Sequence, residues 1–314
     1  MRDIVMVVGS GMMGSGIGAM RALAGNKTVL VDTSAERAEN GRKKAIECIR
    51  LREENELNTH EEAEKAIELL STSDDSIKTA ENARLVIEAI IENVEAKQNL
   101  FAQLDAVLPV EVPICSNTSG LRITDISAKC AHPERTVTTH FWLPAHLVPL
   151  VEVVMGDKTD EAVAVAVRDE LRKWTKAPVL VKRDLPGQLA NLVSQAISRE
   201  SIDIVASGLA SAEVVDTAIS CGMAMRFPVG GPLKHLDAIG LNRGLSVQET
   251  VLPSICADKT ANPYSKELVE KGDLGAKTGK GFYDWSTRSI EDDMKKRDAF
   301  IIEAVKAVER VEKK

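Results

Sequence analysis

Apolar residues in the first half of the chain come in short unbroken runs, whereas in the second half they recur at three- and four-residue intervals. Residues 4–8 (IVMVV) form the first run. A glycine loop follows, then a helical stretch from about 12 to 24 with Gly25 placed as its C-cap, and a second strand from Thr28 to Val31 that ends on Asp32. Strand, glycine turn, helix and strand make a βαβ unit, and continuous apolar strands suit a parallel sheet covered on both faces. Residues 34–70, rich in Glu, Lys, Arg and Ala, predict two helices forming a hairpin over 35–70, with Thr59 placed to cap the second. Short strands are expected at 85–91, 113–115, 136–139, 148–154 and 178–182, and a helix at 161–176. Beyond Asp184-Leu185-Pro186-Gly187 the strand pattern stops, and helical periodicity governs 188–207, 211–221, 232–250, 264–271 and 289–312. The expected fold is α/β: an N-terminal Rossmann-type doubly wound sheet over 1–183, carrying the 35–70 hairpin, and an all-α C-terminal domain over 184–314.

Composition narrows the classes. A chain of 314 residues with 44% hydrophobic residues can bury a large core and ordinarily forms more than one domain. A net charge of −7 with no basic stripe argues against nucleic acid as a partner. No apolar run reaches the roughly 18 residues that span a bilayer, and no secretory segment precedes the first strand, so a cytoplasmic location is expected. Cysteines 48, 115, 130, 221 and 256 include no CxxC pair and read as reduced thiols. The histidines do not sit at ligand spacing from them, so no metal site is expected.

Gly9, Gly11 and Gly14 form GxGxxG after an apolar strand and at the opening of a helix, with Asp32 at the end of the next strand. In that context the pattern indicates a dinucleotide site. Gly9 permits the tight turn, Gly11 lets the backbone approach a pyrophosphate, and Gly14 allows close helix–strand packing. A carboxylate at Asp32 suits the ribose hydroxyls of NAD and would repel a 2′-phosphate. Arg37, one turn on, is expected to face solvent.

His140 follows a β-type run (TVTT) and precedes an aromatic turn, Phe141-Trp142-Leu143-Pro144. Glu152 interrupts VPLVEVVM, where its valine neighbours imply burial. A buried carboxylate needs a cation or a strong donor. His140 lies upstream at a distance that a strand, a turn and a return strand can close; another buried cation is the alternative. A histidine oriented by a carboxylate has a fixed tautomer and a stabilised imidazolium, as a proton acceptor requires. Glu88, inside LVIEAII, poses the same problem with no partner evident and reads as structural. SNTSG (116–120) supplies hydroxyl and amide groups within one turn, and Asn191 opens the helix after Asp-Leu-Pro-Gly.

Together these pieces resemble the L-3-hydroxyacyl-CoA dehydrogenases and their relatives acting on small hydroxy acids. The resemblance is carried by GxGxMGxGI at 9–17, VIEAIIENVEAKQNLF at 86–101, SNTS at 116–119, HPERTVTTHFWLP at 132–144, LVPLVEVV at 147–154, the DxPG…N segment at 184–191 and KTGKGFYDW at 277–285. It implies NAD as cofactor, with Gly9, Gly11, Met12, Met13, Gly14 and Asp32 in its site and Asn117, Glu92 and Lys97 lining the nicotinamide half. It implies His140 as base, Glu152 as orienting carboxylate, Ser119 on the reacting oxygen and Asn191 holding substrate or cofactor. It also implies a homodimer formed through the helical domain.

Several positions depart from the family pattern. Leu143 stands where Asn is usual, Gln188 and Leu192 replace a Phe and an Arg, and Gly120 replaces the second Ser of a pair. These bear on the substrate more than on the reaction. The segments 222–233 and FWLPAHLVPLVEVV are similar to the branch acting on free hydroxy acids, related to lambda-crystallin, and Arg226 is placed to pair with a carboxylate there. Against this, the 35–70 hairpin matches the part of acyl-CoA enzymes that helps hold CoA, and its Arg and Lys residues (37, 42, 43, 44, 50, 52) are available to phosphates. The expected function is NAD-dependent oxidation of a 3-hydroxyacyl-CoA. The alternatives are a dehydrogenase of a free 3-hydroxy carboxylate and, from another class, a silent NAD-binding structural protein. A dehydrogenase of the 3-hydroxyisobutyrate type would use a lysine base instead.

Overall fold

The Val-, Ile- and Leu-rich runs become the strands of one sheet. In the computed structural model, which describes residues 2–312, eight strands lie in the order β3-β2-β1-β4-β5-β6-β7-β8. The chain runs β1 (Ile4–Val8), α1 (Met12–Leu23), β2 (Thr28–Val31), α2 (Ala35–Glu54), α3 (His60–Glu68), β3 (Leu70–Ser73), α4 (Ser76–Ala80), β4 (Ala83–Glu88), α5 (Val94–Val107) and β5 (Ile114–Ser116). It continues with α6 (Ile123–Ile126), β6 (Thr136–Phe141), β7 (Leu150–Val154), α7 (Glu161–Arg172) and β8 (Ala177–Val181). All neighbouring strands are parallel except β6 and β7. The strand order reverses between β1 and β4, the place where doubly wound sheets open a ligand crevice beyond the strand C-termini.

Successive residues of β1 point to opposite faces. Val5 and Val7 pack with Ile17, Leu30 and Ile87, whereas Met6 and Val8 pack with Val31, Phe101 and Ile114. Both faces are therefore covered, as the unbroken apolar strands require.

Besides the four-residue helix α6, three elements of this region have no counterpart in the sequence pattern. β3 (LSTS) has only Leu70 buried, so an edge strand reads as polar linker. α4 is a five-residue turn of helix. α5 buries Lys97 and Asp105 beside Phe101 and Leu104, so charged residues interrupt its apolar stripe.

The chain divides into two compact units, Met1–Ala190 and Asn191–Lys314. The second is helical: α8 (Gln188–Ala206, which begins in the first unit), α9 (Ala212–Ala218), α10 (Pro232–Ile239), α11 (Leu241–Val251), α12 (Pro263–Glu270) and α13 (Ile290–Glu312). The expected single helix at 232–250 is two, because Gly240 adopts φ of 93° and ends α10. Among the described residues no helix is long and apolar enough to cross a membrane.

Candidate active site

The site begins at the switch point. Gly9 has φ of 93°, and a Cβ there would lie 2.5 Å from the Ala89 carbonyl oxygen. A Cβ on Gly14 would lie 1.8 Å from the Gly9 oxygen. A side chain at Gly11 would meet nothing within 4 Å. Packing thus dictates Gly9 and Gly14, while Gly11 presents bare backbone to open space. Met12 and Met13 open α1, whose first turn carries no acidic residue. Its free N–H groups and positive dipole end face the loop uncompensated, which fits a pyrophosphate.

Asp32 follows β2. Its Oδ2 accepts from the Ser10 backbone N–H at 2.9 Å and the Ser10 hydroxyl at 2.8 Å. Its Oδ1 accepts from Thr33 N at 2.8 Å and Arg37 Nε at 2.9 Å. Burial pushes this carboxyl up, but the Thr33, Ser10 and Arg37 donors outweigh it and hold it down at about 2. Arg37 is largely exposed, as expected, and its guanidinium also reaches back over the α2 N-cap to Asp32. Replacing Asp32 with Ala is expected to weaken NAD binding by roughly tenfold and narrow the NAD over NADP preference, since Arg37 is then released toward a 2′-phosphate. Titration of both cofactors checks this; an unchanged ratio contradicts it.

The antiparallel β6–β7 register sets His140 directly opposite Glu152. His140 lies inside β6 rather than beyond its end. Its Nδ1 donates to Glu152 Oε2 at 2.7 Å. Trp142 Nε1 donates to the same oxygen at 3.0 Å, and Ala190 N donates to Oε1 at 2.8 Å. Burial pushes the Glu152 carboxyl up, but His140, Trp142 and Ala190 outweigh it and bring it below the ordinary range. Glu152 is therefore ionised and Nδ1 carries a proton, so that in the neutral ring Nε2 is the nitrogen with the lone pair. Ser119 Oγ lies 3.0 Å from that Nε2 and donates to it.

The SNTSG turn is held from two sides. Asn117 Oδ1 accepts from Phe141 N at 2.8 Å, tying the turn to β6. Glu92 Oε1 accepts from Thr118 Oγ1 at 2.5 Å, Ser119 N at 3.1 Å and Gly120 N at 3.0 Å. Burial pushes Glu92 up, but the donors from Thr118 and Gly120, with Lys97, carry it below the usual range. Lys97 Nζ stands 3.4 Å from Glu92 Oε2 and donates to Glu88 Oε1 at 2.5 Å. Ser116 Oγ donates to the other Glu88 oxygen at 2.6 Å, and Ile90 N donates to Oε1 at 2.7 Å. The sequence left Glu88 without a partner; Lys97 supplies it. The structure thus brings together His140, Glu152, Ser119 and Asn117, and links Glu92 and Lys97 to the same turn. Asn191 and Arg226 belong to the second compact unit; Arg226 Nη1 lies 3.4 Å from His235 Nε2 there.

Beside the glycine loop is a cavity of about 330 Å³, lined among others by Met12, Lys44, Cys48, Leu143 and His146. Most cations of the α2–α3 hairpin are engaged elsewhere. Arg37 pairs with Asp32, Arg42 with Glu39 and the Leu70 carbonyl, and Arg50 with Glu53 and Glu64. Arg52 is buried against Asn58 and the His146 carbonyl. Lys44 is the hairpin cation that lines the cavity.

A doubly wound sheet with a glycine loop of dinucleotide-binding form, and a carboxylate-oriented histidine on the same sheet, is the arrangement that a nicotinamide-dependent dehydrogenase requires. Comparison with known proteins places it further. Residues 4–185 match the family described as 3-hydroxyacyl-CoA dehydrogenase, NAD binding domain, and residues 187–285 match its C-terminal domain. The chain belongs to the 3-hydroxyacyl-CoA dehydrogenase family, NAD-dependent oxidoreductases acting on CH–OH groups. It is 37% identical to a probable 3-hydroxybutyryl-CoA dehydrogenase of Bacillus subtilis over 91% of this chain and 98% of that one. Among solved structures, 5-formyl-3-hydroxy-2-methylpyridine 4-carboxylic acid 5-dehydrogenase, described as an NAD+-dependent dismutase, is similar with a TM-score of 0.89 at 27% identity, covering 98% and 99% of the two chains. (S)-3-hydroxybutyryl-CoA dehydrogenase from Ralstonia eutropha is similar with a TM-score of 0.74 at 30% identity, covering 91% and 99%.

Proposed function

We propose that this protein oxidises the 3-hydroxy group of an L-3-hydroxyacyl-CoA, with His140 as proton acceptor. The observation that carries the reading is the continuous line Ser119 Oγ, His140 Nε2, His140 Nδ1, Glu152 Oε2, with bonds of 3.0 and 2.7 Å. The chemistry NAD supplies when bound in the Gly9–Gly14 loop is acceptance of the hydride from the carbinol carbon. A substrate hydroxyl placed against Ser119 Oγ gives its proton to His140 Nε2, and Glu152 stabilises the resulting imidazolium without itself being protonated. Ser119 then donates to the developing carbonyl oxygen, and Asn191 is assigned the same task. In the reverse direction His140 returns the proton as the acid. Glu92, Lys97 and Asn117 hold the Ser119 turn and line the nicotinamide side.

Lys44 at the 330 Å³ cavity supports the thioester as substrate, because it offers a cation to a phosphate-bearing chain. A second reading, a free small carboxylate as substrate, is favoured by the TM-score of 0.89 to a pyridine-carboxylate dehydrogenase and by apolar Leu143 at the cavity wall. Arg226 would then pair with the carboxylate. Rates with NAD against 3-hydroxyacyl-CoA esters and free 3-hydroxy acids, measured side by side, decide between them. Turnover of the thioester at least tenfold above the free acid is expected, and the reverse order would replace the first reading by the second.

The protein is further proposed to act in the cytoplasm as a homodimer. Its free cysteines suit a reducing compartment. Its helical unit leaves Val193, Val214, Leu233, Leu245, Val269 and Phe300 exposed, an amount of apolar surface that a second copy would cover.

A further inference from the structure

Glu152 Oε2 serves two donors at once, and only one of them is His140. The indole Nε1 of Trp142 lies 3.0 Å from that oxygen, with the His140 Nδ1 contact at 2.7 Å. The two rings are neighbours, 5.8 Å apart between centroids and tilted by 55°. The other carboxylate oxygen is taken by Ala190 N. Glu152 is fully buried. We propose that Trp142 is a positioning residue that sets how much of the Glu152 charge reaches the His140 ring.

The physical argument is competition. A carboxylate oxygen has a fixed electron density to share between its acceptor directions. Each added N–H donor stabilises the anion and reduces the pull it exerts on the other donor, most strongly where the medium is poorly polarisable. The indole N–H donates but cannot accept or titrate, so it lowers the basicity of Glu152 without adding a second proton to the pair. It also fixes the carboxylate plane, because rotation about the Glu152 side chain would break both bonds to Oε2. Among the described residues, the titratable group facing Glu152 is His140 on β6. Across the sheet on β8 its register partner is Val179, and from the 188–190 segment it meets a backbone N–H. Trp142 is therefore a side chain besides His140 that adjusts this carboxylate.

The proposal rests on the proposed role of the Glu152–His140 pair, and the test separates the two. Trp142→Phe keeps an aromatic ring and removes the donor. A benzothienyl analogue of tryptophan at position 142 keeps the full shape and replaces only the N–H by sulfur. The Glu152 carboxyl carbon, assigned with Glu152→Gln, is followed by ¹³C NMR across a pH titration of the NAD-bound enzyme. Both changes are expected to raise the Glu152 titration midpoint by roughly one pH unit. The acid limb of kcat/KM should move up as well, with KM changed less than about twofold. An unmoved midpoint in either folded variant would show that Trp142 only fills space and would overturn the proposal. The carboxyl midpoint reads the contact whether or not His140 is the base. A failure of the base assignment would show instead as undiminished turnover in His140→Ala.

Discussion

His140→Ala is expected to lower kcat by about a thousandfold while the Kd for NAD changes less than about threefold. The size follows from the geometry. The ring is 4% exposed, its Nδ1 is committed to Glu152, and its Nε2 is the lone pair next to Ser119. Alanine removes the acceptor and leaves Glu152 buried with one fewer donor, so no other group inherits the proton. NAD binding, which we assign to the Gly9–Gly14 loop and Asp32, should survive. Steady-state NADH formation and calorimetric NAD titration together make the measurement. Near-full turnover in the variant would remove His140 from the mechanism.

Lys97→Met is expected to destabilise the first unit by about 3–5 kcal/mol, the range for breaking one side of a buried ion pair. Lys97 is 1% exposed and Glu88 0%. Burial pushes the Glu88 carboxyl above its usual range, and Lys97, Ser116 and Ile90 pull against it. Removing Lys97 takes away the strongest of those pulls, so the carboxyl rises further. A carboxyl whose folded value is raised contributes stability that is complete below its unfolded value and is lost as pH climbs through the folded one. The deficit of Lys97→Met should therefore be smallest near about pH 4 and grow toward about pH 8. Adding Glu88→Gln should recover most of the loss, since it removes the stranded charge. Thermal melts of the wild type and the single and double variants across this range check both the size and the sign. A loss independent of pH would mean that Lys97 acts through packing alone. Because Lys97 also holds Glu92, and Glu92 holds the Ser119 and Gly120 N–H groups, the single variant should lose turnover even where it remains folded.

Much of this architecture is readable along the chain, for physical reasons that also mark where reading stops. The parallel sheet announces itself because strands covered on both faces must be apolar throughout, as IVMVV is. The contact between His140 and Glu152 is legible because a carboxylate among valines demands a partner, and a hairpin is the shortest path to one. The same logic raised the question at Glu88 but gave no answer. Its partner lies nine positions on, past the strand end and one turn into α5, where Lys97 in VEAKQNLF has the look of an exposed helix residue. Arg37 faces solvent as its helical position indicates, but spacing alone does not show its guanidinium folding back over an N-cap to Asp32. β3 leaves no clear pattern because an edge strand such as LSTS has one face to bury and only Leu70 to bury it with. The split at Gly240 is masked because a helical apolar pattern persists on both sides of it. Trp142 carried no signal at all: an aromatic residue after a histidine suggests packing, and only the position of its N–H relative to Glu152 shows a donor.

The central claim is that the His140 ring, oriented by Glu152, takes the hydroxyl proton as the carbon–hydrogen bond is broken. The most direct test is the pH dependence of NADH appearance in a single turnover, for the wild-type enzyme and His140→Ala. The wild type should rise through an acid limb to a plateau, and the variant should be slow throughout and climb with hydroxide concentration without levelling. The same limb and a comparable plateau in both would contradict the account.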